Sequence, residues 1–355
     1  MAEQTTNNRL LQQLRQQELI TGQQYQAISQ QPYTAWWLEV LTALAAWIAS
    51  LFMLSAFGSA LFLIGDDTAV RLIVAVMLLA GCVFLSRQPQ DFMQQMAVAF
   101  SLAGQALILW TVNDTMLLTD KQLFLLALVQ AAIMLFLPLN AAHRWLCGII
   151  ILISLHLALA SMLLVVTAYI LLTGVAIVLW LSRAYWAGHR FSPLIKPVTE
   201  ILTLYSLLAA SFSQDYFSAR YHSWWWMDYH PYIPAIYQYG SMLLLFGCVC
   251  WLSRNQPIVW RLTVAATAIV FMVLLQNAPG MLLSTSLLLA TFYGCSKRWF
   301  RASLLFMLLY LSEFYYSLHI TLLQKSGILL GSGVLLLMLF MLLNYYQRRN
   351  QCPSG

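Results

Sequence analysis

Charged side chains are scarce in this sequence. Asp, Glu, Lys and Arg make up 8% of its 355 residues, whereas 61% are hydrophobic. A soluble domain carries about 25% charged residues, because its surface must be covered by groups that water solvates. This composition therefore excludes an ordinary soluble protein and indicates a chain whose apolar surface meets lipid.

Motifs for nucleotide binding and hydrolysis are also missing. The sequence contains no P-loop, no glycine pattern of a Rossmann fold and no zinc-protease or serine-hydrolase signature. The six cysteines lack zinc-ligand spacing, and Cys248 and Cys250 point to different sides of a helix. We interpret the cysteines as packing residues, and we predict no catalytic residue, no metal and no cofactor.

Long apolar runs recur along the whole chain. A helix needs about 20 apolar residues to cross the hydrocarbon core of a bilayer, and these runs have roughly that length. We therefore predict an all-α polytopic transmembrane bundle of about twelve spans within residues 35–346. The predicted spans are 38–63, 69–86, 92–112, 122–139, 144–160, 162–182, 197–213, 235–252, 258–276, 279–295, 301–318 and 326–345.

Two joints between these spans are weak. The stretch 144–182 is nearly continuous, and Ser161 is the residue where a turn would divide it. The stretch 258–295 is interrupted by residues 276–280, whose Asn-Ala-Pro-Gly order is a strong turn signal. Each stretch could form one span or two, and the loss of either joint would change the parity of the bundle.

The two ends of the chain are polar. Residues 1–34 are predicted to form a cytoplasmic amphipathic helical leader, with a capping box at Thr21 and Gln24. The first 30 residues lack the apolar core of a signal peptide, so we expect the first span to act as the insertion signal. Residues 347–355 are predicted to form a short cytoplasmic tail.

Basic residues orient the bundle, because short loops rich in Lys and Arg stay in the cytoplasm. With both termini inside, 14 of the 18 Lys and Arg residues fall on the cytoplasmic side, and only Arg71, Lys121, Arg220 and Lys325 lie outside. A wrong number of spans would scramble this alternation, so it favours twelve. The net charge of +6 then follows from loops that face an anionic leaflet, and no nucleic-acid partner is expected.

The longest predicted outer loop, at 214–234, is rich in aromatic residues. Amphipathic rings partition to the headgroup level, so this loop can be an interfacial belt, or it can be a recognition surface for a partner or a lipid-linked substrate. Its candidate functional residues are Arg220, His222, Trp224, Trp225, Trp226, Asp228 and His230.

A carboxylate marks the end of the predicted span at 301–318. Glu313 is followed by Tyr315 and Tyr316, and Lys325 returns to the same outer face. Because a charge beside a span is costly without a partner, we expect Glu313 to pair with Lys325. The pair can either pin the last two helices together or form a site with the two tyrosines as hydrogen-bonding neighbours.

A third group consists of polar residues inside the predicted spans: Gln105, Gln130, His156 and Glu200. Each can line a path through the membrane, although hydrogen bonding between helices is the commoner use of such residues. Carriers coupled to ions usually have more carboxylates in mid-membrane than this chain has.

The C-terminal part supports a resemblance. The run from Tyr310 through Leu318, with Thr321–Ser326 and Gly331–Gly333, resembles the end of domain-of-unknown-function family 4401, which is related to family 2157. The opening, with Trp36 and Trp37 ahead of an Ala-rich span, is similar too. His319 stands where an Asp is expected, which puts any role of that Asp in doubt here.

The resemblance implies a multi-pass inner-membrane protein of a Gram-negative bacterium. It also implies a neighbour, a small membrane-anchored protein that carries a GDYXXLXY motif. The family has no established activity, so no catalytic residue is carried over.

Three functions stay open from the sequence. The first is a scaffold that binds a partner of an envelope complex through the outer aromatic loop. The second is a secondary transporter of a small solute, and the third is an envelope enzyme that acts on a lipid-linked glycan. We do not favour an enzyme, because its catalytic signatures are missing.

Overall fold

The structure is a computed structural model that describes residues 67–211 and 231–317, except 89, 138, 160 and 277, together with isolated positions outside these ranges. Several predictions fall outside the described residues, apart from those isolated positions. They are the leader 1–34, the spans 38–63 and 326–345, the tail 347–355, nearly all of the loop 214–234, and His319.

Every regular element in the described ranges is a helix, which confirms the all-α prediction. The helices are α1 (Thr68–Ser86), α2 (Asp91–Met116), α3 (Asp120–Phe136), α4 (Ala141–Ala158), α5 (Met162–Leu181), α6 (Arg183–Trp186), α7 (Ser192–Ser211), α8 (Ile233–Ser253), α9 (Ile258–Leu274), α10 (Pro279–Tyr293) and α11 (Lys297–Ser317).

Local capping explains where several helices begin. The Asp67 carboxylate accepts a hydrogen bond from the Ala69 N–H at 2.9 Å, and the Asn140 side-chain oxygen accepts one from the His143 N–H at 2.9 Å. Such bonds satisfy backbone donors that the first turn of a helix leaves without an internal partner. At α10 the first residue is Pro279, whose missing N–H costs nothing at that position.

Both weak joints are breaks between helices. Helix α4 ends at Ala158, and α5 begins at Met162 after Ser161 as the N-cap residue. Helix α9 ends at Leu274, and α10 begins at Pro279. The stretches 144–182 and 258–295 therefore each form two helices.

Six of the described helices are long and apolar enough to cross a membrane: α1, α2, α4, α5, α7 and α8. Helices α9 and α10 are apolar but shorter, with 17 and 15 residues. Large apolar side chains point outward, for example Leu171 and Leu243, which are 65% and 70% exposed. The chain therefore has the helices and the apolar outer surface of a membrane-spanning protein.

The chain divides into two compact units, Met1–Thr111 and Val112–Gly355. In the first, α1 packs against α2 in antiparallel fashion. The Arg71 guanidinium lies 5.2 Å from the centre of the Trp110 ring, and a Cβ at Gly104 would come within 2.8 Å of Leu79. Gly104 thus lets these two helices approach closely.

In the second unit, α5, α7, α8 and α10 pack against one another and form the centre. Helix α3 lies on α4, α9 lies on α8, and α11 packs against α7 and α10. Two apolar clusters occupy opposite ends of this unit. One contains Trp180 and Leu181, where α5 ends, and the other contains Val166 and Tyr169, near its start.

We call the end of this unit that contains Trp180 the basic end, and the end that contains Tyr169 the tyrosine end. Helices α4, α7, α9 and α11 begin at the basic end, and α5, α8 and α10 end there. At the tyrosine end the first four helices end and the other three begin. The described Lys and Arg residues of this unit at the basic end are Arg144, Arg183, Arg190, Lys196, Arg254, Arg261, Lys297, Arg298 and Arg301. Only Lys121, at the start of α3, is at the tyrosine end among the described residues.

Candidate functional site

Four helices bring tyrosines together at the tyrosine end. Tyr169 of α5 is fully buried, and its ring centre lies 5.8 Å from that of Tyr205 in α7 and 6.0 Å from that of Tyr237 in α8. The Tyr205 hydroxyl lies 3.2 Å from Nδ1 of His156, which is in the last turn of α4. With Tyr310 of α11, these residues form what we call the tyrosine cluster.

Hydrogen bonds fix the centre of this cluster. The Tyr169 hydroxyl donates to the Ser206 carbonyl at 2.9 Å, and the Thr173 hydroxyl donates to the Ser206 hydroxyl at 3.0 Å. A buried hydroxyl without a partner is costly, so these bonds let polar groups sit inside an apolar bundle. They also fix the position of α5 relative to α7.

Tyr310 closes the cluster from the side of α11. Its side chain is fully buried, and it stacks on Phe314 with ring centres 6.4 Å apart. A Cβ at Gly280 would overlap the Tyr310 ring and would come within 2.8 Å of the Ala210 carbonyl oxygen. Glycine at position 280 is therefore what allows α10 to fit between α7 and α11.

The aromatic segment 214–234 follows α7 in the sequence and leads into α8, and the end of α7 and the start of α8 are both at the tyrosine end. Tyr232, the residue immediately before α8, is 64% exposed, and Ile233, the first residue of α8, is 1% exposed. The candidate residues Arg220, His222, Trp224, Trp225, Trp226, Asp228 and His230 lie outside the described residues.

The predicted acidic site at the end of α11 is described in part. Glu313 and Tyr315 are half-buried at the tyrosine end, and Tyr316 is in the same helix. Lys325 lies outside the described residues, so its pairing with Glu313 stays a prediction.

The predicted intramembrane polar residues are spread over both units. Gln105 is buried in the first unit and donates to the Ser101 hydroxyl at 2.9 Å, and Gln130 is half-buried in α3. His156 belongs to the tyrosine cluster. Glu200 is at the opposite, basic end, where one carboxylate oxygen accepts a hydrogen bond from the Trp145 indole at 3.2 Å.

The chemistry that the tyrosine cluster offers is neutral hydrogen bonding. Its members are phenols, aliphatic hydroxyls and one imidazole, which suits the binding of a polar uncharged group or the locking of helices. Three cysteines are buried and two exposed in the described part of the chain, where no group of three His, Cys, Asp or Glu side chains could hold a metal ion.

Sequence reasoning identified His156 but missed its neighbours. Tyr169, Tyr205 and Tyr237 lie inside apolar runs, where a tyrosine has the same pattern as any other core residue. Their association depends on contacts between residues 36 to 68 positions apart in the chain. The weak available signal was that a tyrosine in a span needs a partner for its hydroxyl.

The family model described as "Domain of unknown function (DUF4401)" matches residues 35–346. No curated protein and no solved structure matches this chain.

Proposed function

We propose that this chain, which belongs to the DUF4401 family, is a membrane scaffold that presents its aromatic segment 214–234 to a partner protein. In this proposal the second unit is a rigid base, and its tyrosine cluster holds the two helices from which the segment emerges. The basic end faces the cytoplasm, and the segment faces outward.

One observation carries the proposal: the buried polar side chains described in the second unit are uncharged. They are serine and threonine hydroxyls together with His143. Several of the hydroxyls donate to a carbonyl of their own helix, as Thr203 does to Thr199 and Thr291 to Leu287. A coupled carrier needs charges along its path, whereas this interior serves helix packing.

The base of the segment is well anchored. Helix α7 contacts α4, α5, α10 and α11, and α8 contacts α5, α9 and α10. Tyr169 contacts both helices, because its hydroxyl bonds to the α7 backbone and its ring packs near Tyr237 of α8. The end of α7 and the start of α8 are therefore held in place by their neighbours, which reduces the entropy that a partner must overcome on binding.

The partner that the family resemblance implies is the small membrane-anchored protein with a GDYXXLXY motif. Tryptophan, tyrosine and arginine are the residue types that contribute most to protein interfaces, and the segment contains all three. We propose that this surface, in the inner membrane of a bacterium, joins the partner to an envelope complex.

Photo-crosslinking tests this proposal directly. A crosslinking amino acid at Trp225 is expected to capture the co-expressed GDYXXLXY protein. The same amino acid at Trp260, a tryptophan of α9 that is 61% exposed, is expected to capture none. Replacing Trp224, Trp225 and Trp226 by Ala should abolish co-purification and leave thermal stability unchanged.

Two results would contradict the proposed scaffold function. Co-purification that persists after the triple replacement, or crosslinks of equal yield from both positions, would show that the segment is not the binding surface. The transporter and the glycan enzyme stay predictions. Unchanged solute flux in Glu200→Gln and Glu313→Gln variants would remove most of the case for a transporter.

A further inference from the structure

Three helices begin side by side at the basic end, and two tryptophans join them. The ring centres of Trp145 in α4 and Trp299 in α11 lie 6.1 Å apart with the planes 15° from parallel. The Trp145 indole also donates to the carboxylate of Glu200 in α7. We call this group of three residues the tryptophan junction.

Arg144 of α4 also contacts α7, at a backbone carbonyl that lacks its usual helical donor. Pro197 lies inside that helix and has no N–H to donate to the carbonyl of Pro193, four residues earlier. The Arg144 guanidinium supplies the missing donor, because its Nη1 lies 2.7 Å from the Pro193 oxygen. Its Nε is buried without a hydrogen-bond partner in the described part of the chain.

Four exposed cations lie near the beginnings of α7 and α11, two of the helices that form the junction. Lys196 is one turn before Glu200 in α7, and Lys297, Arg298 and Arg301 flank Trp299 in α11. None of the four has an ion-pair partner among the described residues. Glu200 is the one carboxylate described here, so the junction has a large excess of positive charge.

Other arginines at the same end are already engaged or isolated. Arg183 donates to the Gly294 carbonyl. Arg190 lies 4.7 Å from the centre of the Phe191 ring, and Arg254 lies 4.2 Å from the centre of the Trp251 ring. Arg261 is exposed in the first turn of α9, away from the junction helices. The uncompensated charge therefore concentrates at the beginnings of α4, α7 and α11.

We propose that the tryptophan junction binds the phosphate headgroup of an anionic phospholipid of the surrounding membrane. Tryptophan rings prefer the headgroup level, where they would align the lipid. Guanidinium groups bind phosphate through paired hydrogen bonds, and the N-termini of three helices add to the positive potential. Basic groups between helices at a membrane surface suit such headgroups.

The number of cations indicates which anionic lipid fits best. Arg144 and the four exposed cations exceed the charge of a single phosphate, so a lipid with two phosphates neutralises more of the site. The junction should therefore bind a diphosphate lipid such as cardiolipin more tightly than phosphatidylglycerol, and phosphatidylcholine least.

The test uses the full-length protein in a mild detergent, titrated with each of these three lipids. Native mass spectrometry gives the bound lipid, and thermal unfolding gives the stabilisation. The test variant is Arg298→Gln with Arg301→Gln, and the matched control is Arg254→Gln with Arg261→Gln. Each pair removes two arginines from the same end.

We expect the test variant to bind the diphosphate lipid about 25-fold more weakly, since each surface arginine contributes roughly fivefold. The control should stay within about twofold of the parent protein. Without lipid, both variants should unfold at the temperature of the parent, because the replaced side chains are exposed.

Three results would overturn the proposal. An equal loss of lipid affinity in both variants would show a diffuse effect of surface charge. Equal affinity for phosphatidylcholine would show that the lipid's negative charge does not contribute to binding. Displacement of the lipid by excess inorganic phosphate would show a site for soluble phosphate instead.

Discussion

The two ends of the second unit differ in how their polar groups are satisfied. At the tyrosine end, hydroxyls such as Tyr169 and Thr173 are buried and bond to neighbouring helices. At the basic end, tryptophans stack at the junction while Lys196, Arg298 and Arg301 stay exposed. The hydroxyls of Tyr169 and Thr173 at the tyrosine end are thus satisfied from within the protein, whereas the basic end leaves exposed cations that can bind something outside the chain.

This difference separates a structural role from a binding role. A polar group that is satisfied inside the protein stabilises one arrangement of helices. A cation without a partner contributes little to folding and is available to a ligand. Changes at the tyrosine end should therefore reduce stability, and changes of exposed charge at the basic end should reduce lipid binding.

Gly280→Ala should have the largest effect. The added Cβ would overlap the Tyr310 ring, and overpacking of this kind costs about 2–3 kcal/mol of unfolding free energy. Thermal unfolding in detergent measures it. Gly247→Ala in α8 is the control, since a Cβ there meets nothing within 4 Å and helix propensity favours Ala. If the two variants have similar unfolding free energies, the close packing around Gly280 does not contribute to stability.

Tyr169→Phe should cost about 1 kcal/mol, because it removes a buried hydroxyl that bonds across α5 and α7. Tyr239→Phe is the control, since Tyr239 is 66% exposed. If both variants unfold at the temperature of the parent protein, the tyrosine cluster does not lock these helices.

Arg144→Ala should cost about 1 kcal/mol, because the Pro193 carbonyl loses its donor. Pro197→Ala restores a backbone N–H at the position that can donate to this carbonyl. In the Pro197→Ala background the cost of Arg144→Ala should fall to less than half. An unchanged cost in this double-mutant cycle would show that Arg144 does not compensate for the proline.

Cys295→Gly at the basic end should produce the smallest change, a gain of about 0.5 kcal/mol. Cys295 follows the end of α10 with a φ of 53°, a left-handed conformation that glycine adopts without steric cost. The melting temperature should rise slightly, and a fall would mean that the thiol makes a stabilising contact.

The sequence predicted the helical architecture better than the details of the ends. Hydrophobic runs identified ten described helices, and the turn signals at Ser161 and Pro279 identified real breaks. Helix α7 begins at Ser192 rather than at the predicted residue 197, since Pro193 lies in the first turn, where proline is tolerated, and the helix continues through Pro197. The donor that compensates for Pro197 is Arg144, 49 residues away from the carbonyl it reaches, and no local pattern reveals it.

The candidate sites also depend on contacts between residues that are far apart in the sequence. Glu200 was predicted as an intramembrane polar residue, but its partner Trp145 precedes it by 55 residues. Helix α11 begins at Lys297 rather than at the predicted residue 301. Hydrophobicity alone placed the boundary too late, because the Lys and Arg residues at 297–301 have the composition of a loop. That same cluster carries the proposed lipid site, whereas the sequence alone uses it to predict the orientation of the bundle.

The central claim is that the aromatic segment and the basic end face opposite sides of the membrane, with the basic end in the cytoplasm. Single cysteines in a cysteine-free background test it, at Tyr232→Cys beside the segment and at Gly188→Cys between α6 and α7, both exposed positions. With a membrane-impermeant maleimide, the account predicts labelling of position 232 in intact cells and of position 188 only after permeabilisation. Labelling of position 188 in intact cells, or of both positions from one side, would contradict it.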